Sequence, residues 1–142
     1  MIVTTSSELD TSAAAARFAA EIRPRDIILL QGDLGMGKSV FARALIRTLC
    51  GNPDMEVPSP TFTLVQTYES ARGTIWHFDL YRLKDPEELY EIGWEEALTG
   101  GILLIEWPER LGYLTPPTPV TVRLESAETP QMRHIHIERV SP

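Results

Sequence analysis

Residues 31–41 read QGDLGMGKSVF, and inside them Gly32, Gly37, Lys38 and Ser39 stand at the spacing of a phosphate-binding loop. In such a loop backbone N–H groups wrap phosphate oxygens, and the helix that follows adds its positive end. Lys38 would neutralise the β- and γ-phosphates, and the Ser39 hydroxyl would ligate Mg²⁺. Asp33, Leu34, Gly35, Met36, Gly37 and Val40 complete the expected nucleotide contact. The required context is present too, with the apolar run Ile27–Leu30 before the loop and a helical pattern after it.

A triphosphate site needs a second acid to hold Mg²⁺, or water on it, opposite the hydroxyl. Glu106 closes the apolar run ILLIE, at the strand edge where open α/β sheets bind ligands. In TIWHFDLYRL the alternation places Trp76, Phe78 and Leu80 toward a core and His77 and Asp79 on the opposite face. Asp79, near the strand end, could position an attacking water or a metal-bound one; pairing with Arg82 is the competing role. His77 reads equally as a packed or hydrogen-bonded surface histidine or as a functional group. Pro58-Ser59-Pro60-Thr61 stiffens a loop whose hydroxyls could meet the γ-phosphate, although Pro-Ser-Pro is also an ordinary turn. His134 and His136 share a strand with no third ligand nearby, which makes a poor metal site.

The elements that must position these groups are legible in the periodicities. Met1–Thr4 reads as a short strand and Ser7 as the cap of an alanine-rich helix running to Ile22, where Pro24 stops it. Asp26–Leu30 reads as a buried strand, and Lys38–Leu49 as a helix with Phe41, Leu45 and Leu49 on one stripe, ended by Gly51. Strands are expected over 61–68 and 74–80, joined by a turn at 70–73. Helix starts follow at Asp85-Pro86 and over 94–98, and then the strand at 102–105. Trp107-Pro108 should redirect the chain and keep a helix from starting at once. After the stiff TPPTP segment, Val120, Val122 and Leu124 alternate with polar residues, as do Ile135 and Ile137, giving an antiparallel pair. The fold class predicted is α/β and P-loop NTPase-like. A single three-layer domain over residues 1–142 would hold a mixed, mainly parallel sheet flanked by helices, closed by the C-terminal antiparallel strand pair.

The chain has 142 residues, 43% hydrophobic and 23% charged, with a formal net charge of −7. That balance opposes tight autonomous binding to nucleic acid, whose affinity comes mainly from neutralised phosphates. A lone Cys50 excludes an internal disulfide. No stretch resembles a signal peptide or a membrane span, so the expectation is a soluble, cytoplasmic protein with no membrane partner.

GDLGMGKSVFARAL, SPTFTLVQTYE, HFDLYRL, the acidic DPEEL with EIGWEEAL, and LLIEWPERL together resemble the TsaE (YjeE) family of bacterial ATPases of tRNA threonylcarbamoyladenosine biosynthesis. The resemblance runs from about Gly32 to Leu111 and implies ATP and Mg²⁺ as cofactors. It implies an ATPase, slow alone, that resets a threonylcarbamoyl-transferase complex of TsaD-type and TsaB-type subunits during modification of tRNA adenosine 37 (t6A). The tRNA would then be met only through those partners. Residue by residue, it implies Ser39 and Glu106 as metal ligands and Asp79 as the aspartate needed for hydrolysis, beside Lys38. It puts Thr61 in a switch-like loop, Trp107 after the acidic ligand, and, more loosely, Thr5 near the base. The family usually carries Thr where this chain has Ser39. Beyond Leu111 no function is implied except structure or docking. A P-loop small-molecule kinase is the alternative, though it would need a lid and an acceptor pocket; a GTP switch lacks its guanine-reading Asn-Lys-x-Asp.

Overall fold

The computed structural model describes residues 1–140. In chain order the elements are β1 (Ile2–Thr5), α1 (Glu8–Ala19), β2 (Ile27–Gln31), α2 (Lys38–Cys50), β3 (Val65–Ser70) and β4 (Gly73–Asp79). They continue with α3 (Trp94–Leu98), β5 (Ile102–Glu106), β6 (Val120–Ser126) and β7 (Arg133–Arg139). Two 3-10 segments, Pro86–Ile92 and Pro108–Leu114, flank α3 and β5.

All seven strands join one sheet in the order β1-β7-β6-β2-β5-β4-β3. The ladders β6–β2, β2–β5 and β5–β4 are parallel; the outer ones, β1–β7, β7–β6 and β4–β3, are antiparallel. Parallel pairing is therefore concentrated at the centre of a mixed sheet. The expected C-terminal hairpin exists, but it is built into the sheet, with β6 lying directly beside β2.

Alternation along the central strands sorts the core into two layers. Ile28, Leu30, Leu104 and Val122 pack with Phe18 of α1 and with Phe41 and Leu45 of α2. Leu29, Leu103 and Ile105 pack on the other face with Phe78, Leu89, Trp94 and Leu111. Burying each such side chain is worth about 1.5–3 kcal/mol, and a one-residue slip would exchange the two faces. Hydrophobic burial thus fixes which face each side chain takes, and the β4–β5 ladder then pairs Asp79 with Glu106.

Local chemistry sets the boundaries, and several differ from the sequence expectation. Ser7 caps α1 by accepting Asp10 N–H at 3.1 Å, while the Asp10 carboxylate takes the Ser6 N–H and hydroxyl. The helix ends at Ala19 rather than Ile22; Pro24 disfavours helical backbone at Arg23, and Ile22 is buried from a turn instead. Asp26 lies just outside β2: its carbonyl still accepts Leu103 N–H at 3.0 Å, and its carboxylate is engaged by both Arg139 terminal nitrogens at 2.7 and 2.9 Å. Residues 61–64 form a turn rather than the start of β3, closed by Leu64 N–H on Pro60 O at 2.7 Å. Asp85 caps the Pro86–Ile92 segment through Glu87 N–H. Directly after Trp107, Pro108 does begin a 3-10 segment, contrary to expectation; proline suits a first turn because its missing N–H would have had no partner there.

Candidate functional site

The glycine loop connects β2 to α2, and its glycines are there for steric reasons. Gly32 has φ +148°, and a Cβ on it would sit 2.7 Å from the Leu124 carbonyl oxygen of β6. Gly37 takes φ 99° as it opens α2, a left-handed conformation that side chains resist. Lys38 is buried at the start of the helix; its ammonium donates to Gly32 O and lies 3.2 Å from the centroid of the Trp107 ring. Burial pushes the Lys38 pKa below its ordinary value, against the opposing pull of Glu106, Glu109, Asp79 and Asp33. Trp107 reaches this position with φ 59° and ψ 52°, a left-handed conformation that costs a non-glycine residue about 1–3 kcal/mol. Its ring contacts both the Lys38 ammonium and Tyr81, whose ring centroid is 5.0 Å away.

Opposite the loop, Asp79 and Glu106 are register partners at the carboxyl ends of β4 and β5, 5% and 3% exposed. Each is held by a different donor. The Asp79 carboxylate accepts from Thr61 Oγ1 and from Tyr81 N–H, both at 3.1 Å. Thr61 in turn meets Ser59 Oγ at 2.7 Å, so a hydroxyl relay runs from the 58–61 loop into Asp79. Glu106 Oε2 lies 2.7 Å from His77 Nε2. A carboxylate only accepts, so Nε2 carries the proton; Nδ1 is buried with no partner.

These groups border a cleft of about 380 Å³ that Leu34, Gly35, Gly37, Lys38, Ser39 and Val40 line from one side. Ser59, Thr61, Asp79, Tyr81, Glu106 and Trp107 line it from the other. The structure thereby brings most of the sequence-predicted site residues together. Asp33 and Met36 face a neighbouring recess beside Leu124 instead. Thr5 does not border the cleft: its hydroxyl is buried against Thr11 Oγ1 at 3.0 Å. Arg82, the competing partner for Asp79, lies over Phe62 at 4.5 Å. His77 is buried, not at the surface; the Ser59 hydroxyl of the 58–61 loop does line the cleft, and Glu8 and Tyr81 are additions that the sequence reading did not single out. Two carboxylates and the Ser39 hydroxyl make an all-oxygen donor set of the kind Mg²⁺ takes, with room left for phosphate and water.

The matching family model is described as "Threonylcarbamoyl adenosine biosynthesis protein TsaE" and covers residues 5–135. The chain belongs to the TsaE family. Among curated TsaE proteins, that of Rickettsia conorii is 48% identical over 125 residues, 88% of this chain and 71% of the relative. That of Aquifex aeolicus is 40% identical over 104 residues, 73% of this chain and 74% of the relative. The crystal structure of Bacillus subtilis YdiB superposes with a TM-score of 0.77 at 25% identity, covering 99% of this chain and 86% of that one. TsaE membership places the chain in tRNA threonylcarbamoyladenosine biosynthesis and implies nucleotide binding. No helix among the described residues is long and apolar enough to cross a membrane.

Proposed function

We propose that this TsaE-family chain is a Mg²⁺-dependent ATP hydrolase whose turnover resets the threonylcarbamoyl-transferase complex of TsaD-type and TsaB-type subunits. The observation that carries the reading is the pairing of Asp79 with Glu106 on adjacent parallel strands, facing the glycine loop. The loop N–H groups and Lys38, which lines the cleft, hold the phosphates. Ser39 Oγ and the Glu106 carboxylate are the residues that would hold Mg²⁺. Bound there, the ion supplies neutralisation of charge on the phosphate oxygens. His77 fixes one Glu106 oxygen and leaves the other free to face the cleft. Asp79 accepts a hydrogen bond from the attacking water and aligns it on the γ-phosphorus, while Thr61 couples that carboxylate to the 58–61 loop.

The whole chain, 1–142, acts as one P-loop unit, supported by a sheet that draws strands from Ile2 through Arg139. With a net charge of −7 it meets tRNA only through its partners, in the cytoplasm. Phosphate release measured with and without the TsaD–TsaB-type complex tests the reading. Slow release alone and faster release with the complex is the expected result. Lack of stimulation, together with phosphorylation of a small acceptor, would overturn it in favour of a kinase.

A further inference from the structure

The last hairpin reaches the nucleotide loop through Arg133, at the start of β7. Its Nε donates to Met36 O at 3.1 Å and Nη2 to Gly35 O at 3.3 Å. Nη1 donates to Pro130 O at 2.7 Å and to Met132 O at 2.8 Å, so the guanidinium is fixed on its own turn. Resting on the nucleotide-binding reading above, we propose that Arg133 is a positioning residue for the phosphate loop: it holds the Gly35 and Met36 carbonyls outward, turns Gly37 N–H inward, and sets an unneutralised cation behind the loop.

The geometry follows from the peptide bond. Among the described residues no peptide is cis, and in a planar trans peptide the C=O and the next N–H point in opposite directions. With Met36 O drawn toward the hairpin, Gly37 N–H is directed away from it, to the side where phosphate oxygens bind. Gly35 O is drawn the same way, and the opposing Met36 N–H closes a turn on Asp33 O at 3.2 Å. Among the described residues no other side chain bonds these two carbonyls, and the Met36 side chain is the part of this stretch that packs on the core. A Cβ on Gly35 would meet no atom within 4 Å, and its φ of +83° is one that only glycine adopts freely. A loop with so little packing needs bonds to its carbonyls to keep its donors aimed.

The partners of Arg133 leave its charge unneutralised. Arg139, at the far end of β7, forms an ion pair with Asp26 at 2.7 Å. Arg133 has only carbonyl partners, and no carboxylate lies within ion-pair distance among the described residues. The nearby glutamates Glu125 and Glu128 lie against His136 and His134. The Arg133 charge therefore remains available to a polyphosphate held by the loop it braces.

The test is titration of a fluorescent ADP analogue with and without Mg²⁺, competition by ATP and by inorganic pyrophosphate, and thermal unfolding of the nucleotide-free protein. Arg133→Gln should weaken all three ligands by about tenfold, metal present or not, while the unfolding midpoint moves by about 3 °C or less. Arg133→Lys keeps the charge without the rigid fork and should lose about threefold; it carries the test if the glutamine variant does not fold. Unchanged affinity in the variants, or a lowered midpoint with unchanged affinity of the folded protein, would overturn the inference. Failure of the unsubstituted protein to bind ADP or pyrophosphate would instead defeat the nucleotide reading itself.

Discussion

Replacing His77 by leucine removes the donor to Glu106 while keeping a side chain of comparable bulk. His77 and Glu106 are 2% and 4% exposed at their side chains and 2.7 Å apart, so water has no room to take the donor's place. A hydrogen bond to a charged group is worth about 1.5–3 kcal/mol. Against that loss, leucine also removes the buried Nδ1, which has no partner, and relieving such a group returns about 1 kcal/mol. The net destabilisation is then about 0.5–2 kcal/mol, or roughly 2–7 °C in melting temperature for a chain of this size. A freed Glu106 carboxylate should also raise the Mg²⁺ concentration needed for half-maximal phosphate release by about tenfold or more. His77→Gln, which carries an N–H at nearly the Nε2 position, should recover most of both effects. Thermal melts and Mg²⁺ titrations of the two variants provide the check. If His77→Leu melts and titrates like the unsubstituted protein, the reasoning that His77 holds Glu106 is refuted.

Gly32→Ala should destabilise the nucleotide-free protein by about 2–4 kcal/mol, since strain at positive φ adds to overpacking against the Leu124 carbonyl at 2.7 Å; chemical denaturation measures it. Burial pushes the Asp26 pKa up, but the Arg139 hydrogen bond, the Arg23 N–H and both arginine charges outweigh it and hold it below the ordinary 3.8. The stabilisation from Asp26 is therefore complete above that value and fades as pH falls below it, whereas Asp26→Asn should flatten this part of a melting-temperature profile.

Local patterns carried the phosphate loop, because Gly32, Gly37, Lys38 and Ser39 lie within one turn and helix start and their spacing is itself the chemistry. Glu106 and Asp79 were legible as acids ending strands, yet their adjacency depends on the β4–β5 register, which no local pattern encodes. The β-branched run TFTLV suggested a strand from Thr61; the turn at 61–64 prevails because it delivers the Thr61 hydroxyl to Asp79. Thr5 rests on the family resemblance alone, and in the fold its hydroxyl meets that of Thr11. Trp107 is a residue type that rarely takes positive φ, so its position over Lys38 had no signal in the sequence. Arg133 was equally hidden, because it acts on backbone carbonyls almost a hundred positions away, and carbonyls have no side-chain identity to read.

The central claim is that the carboxylate pair beside the loop turns over the nucleotide that the loop binds. Asp79→Asn preserves size and removes charge, and ATP affinity and single-turnover phosphate release can be measured on the same preparation. ATP affinity should stay within a few-fold of that of the unsubstituted protein, and phosphate release should slow by about a hundredfold or more. Release at the original rate, with affinity retained, would contradict the claim.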